Sequence, residues 1–196
     1  MRIIAGTYRG RALQAPAGLA TRPTSDRLRE TLFNVLAPRI QGAIFLDLYS
    51  GSGAVGIEAL SRGASRVTFV ERARPALSVL SANLGRLGIS SGFRVHPISA
   101  VGFLRRPHQE PFDIVFLDPP YDAQNEYEVC LTQLGALSSQ LLAPDALVIA
   151  EHHHKEAPAD TYATLQRTRL LKQGEAALSF YSNQGPAPQP PKDPTK

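Results

Sequence analysis

Residues 43–56 run Ala43-Ile44-Phe45-Leu46-Asp47-Leu48-Tyr49-Ser50-Gly51-Ser52-Gly53-Ala54-Val55-Gly56, and their reading decides the fold. The apolar run is a buried strand, and the helix after the loop extends to about Arg62. Gly51, Gly53 and Gly56 satisfy G-x-G-x-x-G, in which a strand turns through glycines into a nucleotide-facing helix. The next strand, Ser65 to Val70, ends at Glu71, about 20 residues past the glycines, where an acid binds the two hydroxyls of a ribose. These features suit NAD and S-adenosylmethionine alike.

Asp47 narrows the choice. It ends its strand four residues before Gly51 and faces the glycine loop. A pyrophosphate would be repelled by that carboxylate, whereas a cationic methionine moiety would be favoured. Downstream, the apolar run Phe112-Asp113-Ile114-Val115-Phe116-Leu117 delivers Asp118-Pro119-Pro120-Tyr121 to the carboxyl edge of the sheet. Ligands of open α/β sheets bind at that edge. Two prolines fix φ and remove two N–H donors, leaving only carbonyl acceptors. A carboxylate and a carbonyl together accept both hydrogens of one exocyclic amino group, and Tyr121 can stack on the ring that carries it. Such an amine is a poor nucleophile because its lone pair is delocalised into the base. Holding its hydrogens on Asp118 Oδ and the Pro119 carbonyl favours a pyramidal nitrogen, able to attack a methyl sulfonium in line. Positioning can supply roughly 7–11 kcal/mol, with electrostatics at the developing charge in addition. Asp47 and Asp118 together point to S-adenosylmethionine.

Outward from these two stretches, strands and helices alternate. Arg2 to Leu13 reads as a hairpin turning near Gly6-Thr7, and Thr24 or Ser25 caps a helix with Leu28, Leu32, Val35 and Leu36 on one face. Strands follow at 44–48, 65–70, 93–97, 112–117 and 146–151, with helices at 54–62, 74–87, 100–105 and 124–137. Strands at about 165–172 and 176–182 turn at Gly174-Glu175. The expectation is a Rossmann-like α/β fold with a seven-stranded, mostly parallel sheet and helices on both faces. An N-terminal β-hairpin and helix are added to it. Residues 1–184 then form one domain, divided into an extension over 1–40 and a core over 41–184. The tail 185–196 carries five prolines and is expected to be disordered.

The charge is concentrated. Residues 1–40 carry Arg2, Arg9, Arg11, Arg22, Arg27, Arg29 and Arg39 against Asp26 and Glu30, while the remainder holds 14 basic and 15 acidic residues. An Arg-rich segment beside a base-modifying site suits phosphate contacts, with Arg2, Arg9, Arg11, Arg22 and Arg27 as the candidates. The single cysteine, Cys130, excludes an intramolecular disulfide and reads as a core residue. No secretory signal or membrane span is legible, so the expected location is the cytoplasm. His152-His153-His154 alternate faces in an extended segment and cannot converge on one ion, so no metal is expected. Asn34, on the helix before the glycine loop, is a candidate contact for the cofactor's carboxylate.

Asp47-Leu48-Tyr49-Ser50-Gly51-Ser52-Gly53, Glu71 and Asp118-Pro119-Pro120-Tyr121 resemble the motifs of class I, S-adenosylmethionine-dependent amino-methyltransferases. More narrowly, Met1-Arg2-Ile3-Ile4-Ala5-Gly6, Tyr8-Arg9-Gly10, Thr21 to Arg27, Arg29-Glu30 and Leu32-Phe33-Asn34 resemble the bacterial 16S rRNA (guanine-N2)-methyltransferase family. Glu58 to Gly63 and Ala177 to Tyr181 continue the match, which covers about residues 1–182. The resemblance implies methylation of the exocyclic amine of one guanine in 16S rRNA of the small subunit, with a small ribosomal subunit or its assembly intermediate as the expected partner and a monomer as the expected state. It also implies cofactor contacts from Ser50 and from the segment Ser99-Ala100, where the family carries an acid that contacts the adenine amino group. Near the end, Gln173-Gly174-Glu175 stands where the family shows Tyr-Gly-Asp. Two other readings use the same residues: a DNA adenine-N6 or cytosine-N4 methyltransferase, and an NAD-dependent oxidoreductase or silent nucleotide-binding module.

Overall fold

The structure, a computed structural model, describes residues 1–15, 25–120 and 125–183. Arg22, Thr24, Tyr121 and the tail 185–196 lie outside the described residues. The strands are β1 (Ile44–Asp47), β2 (Arg66–Val70), β3 (Phe93–His96), β4 (Phe112–Leu117), β5 (Leu142–His153), β6 (Thr161–Tyr162), β7 (Leu165–Gln173) and β8 (Ala176–Ser182). The helices are α1 (Asp26–Leu36), α2 (Ala54–Ser61), α3 (Arg74–Leu87), α4 (Ala100–Leu104), α5 (Asn125–Ala136) and α6 (Ser138–Leu141). They build one sheet in the order β3-β2-β1-β4-β5-β8-β7-β6. Strands β1 to β5 are parallel to their neighbours, and β8 inserts antiparallel beside β5. The doubly covered parallel sheet explains the near-continuous apolar runs in the sequence.

The sheet has eight strands where the sequence predicts seven. The addition, β6, is two residues long and pairs with β7, which is too short for any period-two pattern to register. β5 likewise begins at Leu142, ahead of the expected Ala146, across a register irregularity between Phe112 and Ile114. The predicted hairpin is present, but as a single antiparallel bridge between Arg2 and Ala12. Its chain turns over a wider span than Gly6-Thr7, through Gly6 and Gly10 at φ 82° and 79°.

Alternation along the strands sorts the core into two layers. Phe45, Phe69, Ile114, Phe116 and Ile149 pack beneath α1, α2 and α3. Leu46, Val70, Leu117, Val148 and Ala150 pack beneath α4 and α5, with Cys130 among them as expected. Ser25 caps α1, its hydroxyl accepting from the Leu28 N–H at 3.1 Å. α2 lies close on the sheet because Gly56 has no side chain: a Cβ there would sit 2.2 Å from Phe69 Cε1.

The first fifteen residues strap across the outer layer. Glu58, on α2 and 0% exposed, accepts the N–H groups of Ile4 and Ala5 at 2.8 and 3.0 Å. It also receives the Arg62 Nε at 2.7 Å, with Arg29 Nε 3.9 Å away. Arg29 is itself 0% exposed and donates to Asp26 and to the Arg2 carbonyl. Ser61 closes the other side, its Oγ accepting from Tyr8 N–H at 3.0 Å and donating to the Ala5 carbonyl at 2.5 Å.

Candidate active site

The glycine loop is held by the carboxylates around it. Leaving β1, the Ser50 N–H donates to the Val70 carbonyl at 3.0 Å and the Gly53 N–H to the Ser50 carbonyl at 2.7 Å. Gly53, at φ 82°, starts α2 from a left-handed conformation that favours glycine. Gly51, at φ 52°, faces open space. Glu71, just past β2, accepts the Gly51 N–H at 2.9 Å and the Ala73 N–H at 2.7 Å, one on each oxygen. The sequence predicts a ribose contact for this acid; in the structure its two oxygens hold the loop and the start of α3. Asn83 of α3 donates to the Ser52 carbonyl at 2.9 Å and exchanges hydrogen bonds with the Gln14 backbone. The N-terminal strap is thereby tied to the loop, a connection the sequence did not disclose.

Asp47 is 1% exposed and its Oδ2 accepts the Gly56 N–H at 3.0 Å. Burial pushes its carboxyl up to about 7; the Gly56 hydrogen bond works against that rise, and the nearby Glu71 charge adds to it. It is therefore not a solvated strand end but a desolvated acid beside the glycine loop.

Asp118, Pro119 and Pro120 follow β4 at the same edge, with Pro119 buried and the other two half-buried. Register places them beside Asp47, which pairs with Phe116 of β4. The Asp118 carboxyl is pushed well above the usual carboxylate range, first by desolvation, then by the charges of Glu151 and Asp47. Glu151, near the end of β5, is a member of this edge that the sequence reading missed. It is 7% exposed, and its carbonyl accepts the Tyr127 hydroxyl at 2.6 Å. Two residues past β1, the Tyr49 hydroxyl bonds to Glu126 of α5 and lies 3.1 Å from Cys130 Sγ. That contact pins α5 to the edge. Burial raises the Tyr49 hydroxyl, and pushes the Cys130 thiol up to about 11.

The remaining candidates are placed unevenly. Ser99 is the N-cap of α4, its Oγ accepting the Gly102 N–H at 3.1 Å, and Ala100 is buried on that helix. The serine thus serves the helix start. Asn34 is exposed on α1. Arg2, Arg9, Arg11 and Arg27 are exposed, but Arg11 also donates to the Arg86 carbonyl at the end of α3, at 2.8 Å. Arg29, counted in the basic excess, is spent inside on Glu58 and Asp26. His152 is buried, its Nε2 2.9 Å from Ser179 Oγ; burial lowers its pKa. His152-His153-His154 hydrogen-bond to protein partners, and no group of three metal-binding side chains occurs among the described residues.

A second basic region escaped the charge tally because it is assembled from separate elements. Arg66, Arg94, Arg106, His96 and His108 line a cavity of about 340 Å³ with Phe103 and with Glu110, which pairs with Arg66. It reaches Ile44 and Phe112, at the amino ends of β1 and β4, and so lies away from the edge that carries Asp118.

A parallel sheet with an antiparallel last insertion, a glycine loop over an acid and a second acid followed by prolines define a class I, S-adenosylmethionine-dependent methyltransferase. Residues 1–182 match the family model described as "Conserved hypothetical protein 95". "Ribosomal RNA small subunit methyltransferase D" of Escherichia coli is 47% identical over 184 residues, covering 94% of this chain and 90% of that one. The Haemophilus influenzae protein of the same name is 40% identical, covering 92% and 91%. The solved structure "Putative methyltransferase yhhF" from Escherichia coli superposes with a TM-score of 0.80 at 36% identity, covering 92% of this chain and 96% of that one. The chain belongs to the family of ribosomal RNA small subunit methyltransferase D.

Proposed function

We propose that this chain methylates the exocyclic N2 amine of one guanine in 16S rRNA, within a small subunit or its assembly intermediate. The observation that carries the reading is the placement of Asp118-Pro119 at the end of β4, beside Asp47 in register on β1. Residues in the described site suit S-adenosylmethionine: a desolvated acid at Asp47, a glycine loop open at Gly51 and an acid at Glu71. When bound, that cofactor supplies an electrophilic methyl group. Ser50, Gly51, Gly53, Ser99 and Ala100 would surround it, with Asn34 a more peripheral candidate.

The chain's own part is to prepare the nitrogen. Asp118 Oδ and the Pro119 carbonyl accept the two N2 hydrogens, and Tyr121 stacks on the base. As the nitrogen gains its methyl group it sheds one proton, and the raised basicity of Asp118 suits that carboxylate to receive it and pass it to water. The target must leave its stack to reach the edge. Exposed Arg2, Arg9 and Arg27, with Arg11 and Arg22, would hold flanking phosphates. The same reading makes the enzyme a monomer acting in the cytoplasm; among the described residues no helix is long and apolar enough to cross a membrane.

The test is transfer from labelled S-adenosylmethionine to free small-subunit rRNA, to protein-bound rRNA and to duplex DNA, with nucleoside mass spectrometry. N2-methylguanosine from an rRNA substrate is the expected product. N6-methyladenine or N4-methylcytosine in DNA would overturn the substrate while keeping the chemistry.

A further inference from the structure

Asp118 and Pro119 account for an amine but not for guanine, because adenine and cytosine offer an amine as well. What separates the three bases is the ring nitrogen next to that amine. Guanine carries N1–H, a donor, beside its N2 amine; adenine and cytosine carry a bare acceptor, N1 or N3, beside theirs. A site that selects guanine therefore needs a second acceptor adjacent to the one that holds the amine.

The sheet supplies one. Leu117 and Ala150 are register partners on the parallel strands β4 and β5, so the next residues, Asp118 and Glu151, are neighbours about 4.8 Å apart across the sheet. Both follow residues of the α4–α5 layer, so alternation turns them to the opposite face, that of Phe45 and Asp47. Glu151 is nearly buried, and the Tyr127 hydroxyl fixes its backbone from α5. Register and alternation thus set the two carboxylates side by side on one face of the sheet edge, and the charge of Glu151 adds to the rise of the Asp118 carboxyl. Two carboxylates side by side at the carboxyl end of parallel strands offer adjacent acceptors, which match a ligand with adjacent donors.

Building on the guanine-N2 reading, we propose that Glu151 is a base-reading residue: its carboxylate accepts the guanine N1–H while Asp118 and Pro119 hold the N2 amine. The same carboxylate faces a lone pair in adenine or cytosine and repels it.

The experiment places 2-aminopurine at the mapped target position of the RNA. This base keeps the 2-amino group but has a bare N1. The wild-type chain should use guanine about 100-fold better in kcat/KM, the scale of one lost charge-assisted hydrogen bond. In E151Q, whose amide can donate to a bare N1, that preference should shrink about tenfold or more, with S-adenosylmethionine affinity by calorimetry unchanged. Equal use of the two bases by the wild-type chain, or an unaltered preference in E151Q that still binds cofactor, would overturn the role of Glu151. These outcomes leave the methyltransferase reading standing. No transfer to guanine by the wild-type chain would overturn both.

Discussion

The two ends of α2 bury carboxylates to opposite purposes. At the rear, Glu58 collects two backbone N–H groups and the Arg62 guanidinium, with Arg29 close by. At the front, Asp47 accepts one N–H, from Gly56, and desolvation lifts its pKa. A saturated buried charge fastens one element to another. An acid desolvated beside a glycine loop is instead a candidate ligand contact. The same contrast divides the N-terminal arginines, since Arg29 is part of the fastening while Arg9 stays in solvent.

The rear end should yield the largest loss of stability. Glu58→Ala takes one of two carboxylates from beside the buried Arg29 and leaves the Ile4 and Ala5 N–H groups and Arg62 without their acceptor, so unfolding free energy should fall by about 3–5 kcal/mol in denaturant titration. A change below about 1 kcal/mol would break the comparison. Gly6→Ala attacks the same junction, because a Cβ there would meet the Ser61 carbonyl oxygen at 1.8 Å with φ at +82°. It should cost about 2–3 kcal/mol and read out as a lower melting temperature.

Asp47→Asn should do the reverse. S-adenosylmethionine affinity is expected to drop about 10–100-fold by calorimetry, roughly 1.4–2.8 kcal/mol, without loss of stability in the free protein. A sharper form uses pH. Burial pushes the folded Asp47 carboxyl up to about 7 from its ordinary 3.8, so the folded state holds the extra proton between these values. Its contribution to stability is full below about 4 and declines as pH rises to about 7, with a slope of at most about 1.4 kcal/mol per pH unit. The asparagine variant should lack that part of the decline, seen as a difference between the two denaturation profiles. The smallest effect belongs to Arg9→Ala, which should lower the salt dependence of RNA affinity by about one unit of slope and leave melting unchanged.

Much of this was legible in the chain because local chemistry repeats what the fold requires. Gly51, Gly53 and Gly56, the acids Asp47 and Glu71, and Asp118 at the end of an apolar run sit on short segments whose spacing carries the message. The mostly parallel order followed from the same alternation, and the closing pair of strands from the turn at Gly174-Glu175. What escaped depends on residues far apart in sequence. Glu58 and Arg29 meet across 29 positions, Glu151 joins Asp118 only through strand register, and the Arg66–Arg94–Arg106 cavity sums charges that cancel in a linear tally. Ser99 escaped differently: its helix-capping hydrogen bond to Gly102 is a local feature overshadowed by the missing acid. β6 was too short to show a period at all.

The most direct test of the central claim is turnover by Asp118→Ala, with cofactor binding measured on the same preparation. Asp118 is held to prepare the attacking nitrogen, so transfer to rRNA should fall by about 10³-fold or more while S-adenosylmethionine still binds within a few-fold of the wild-type affinity. Turnover near the wild-type rate, with binding intact, would contradict the account.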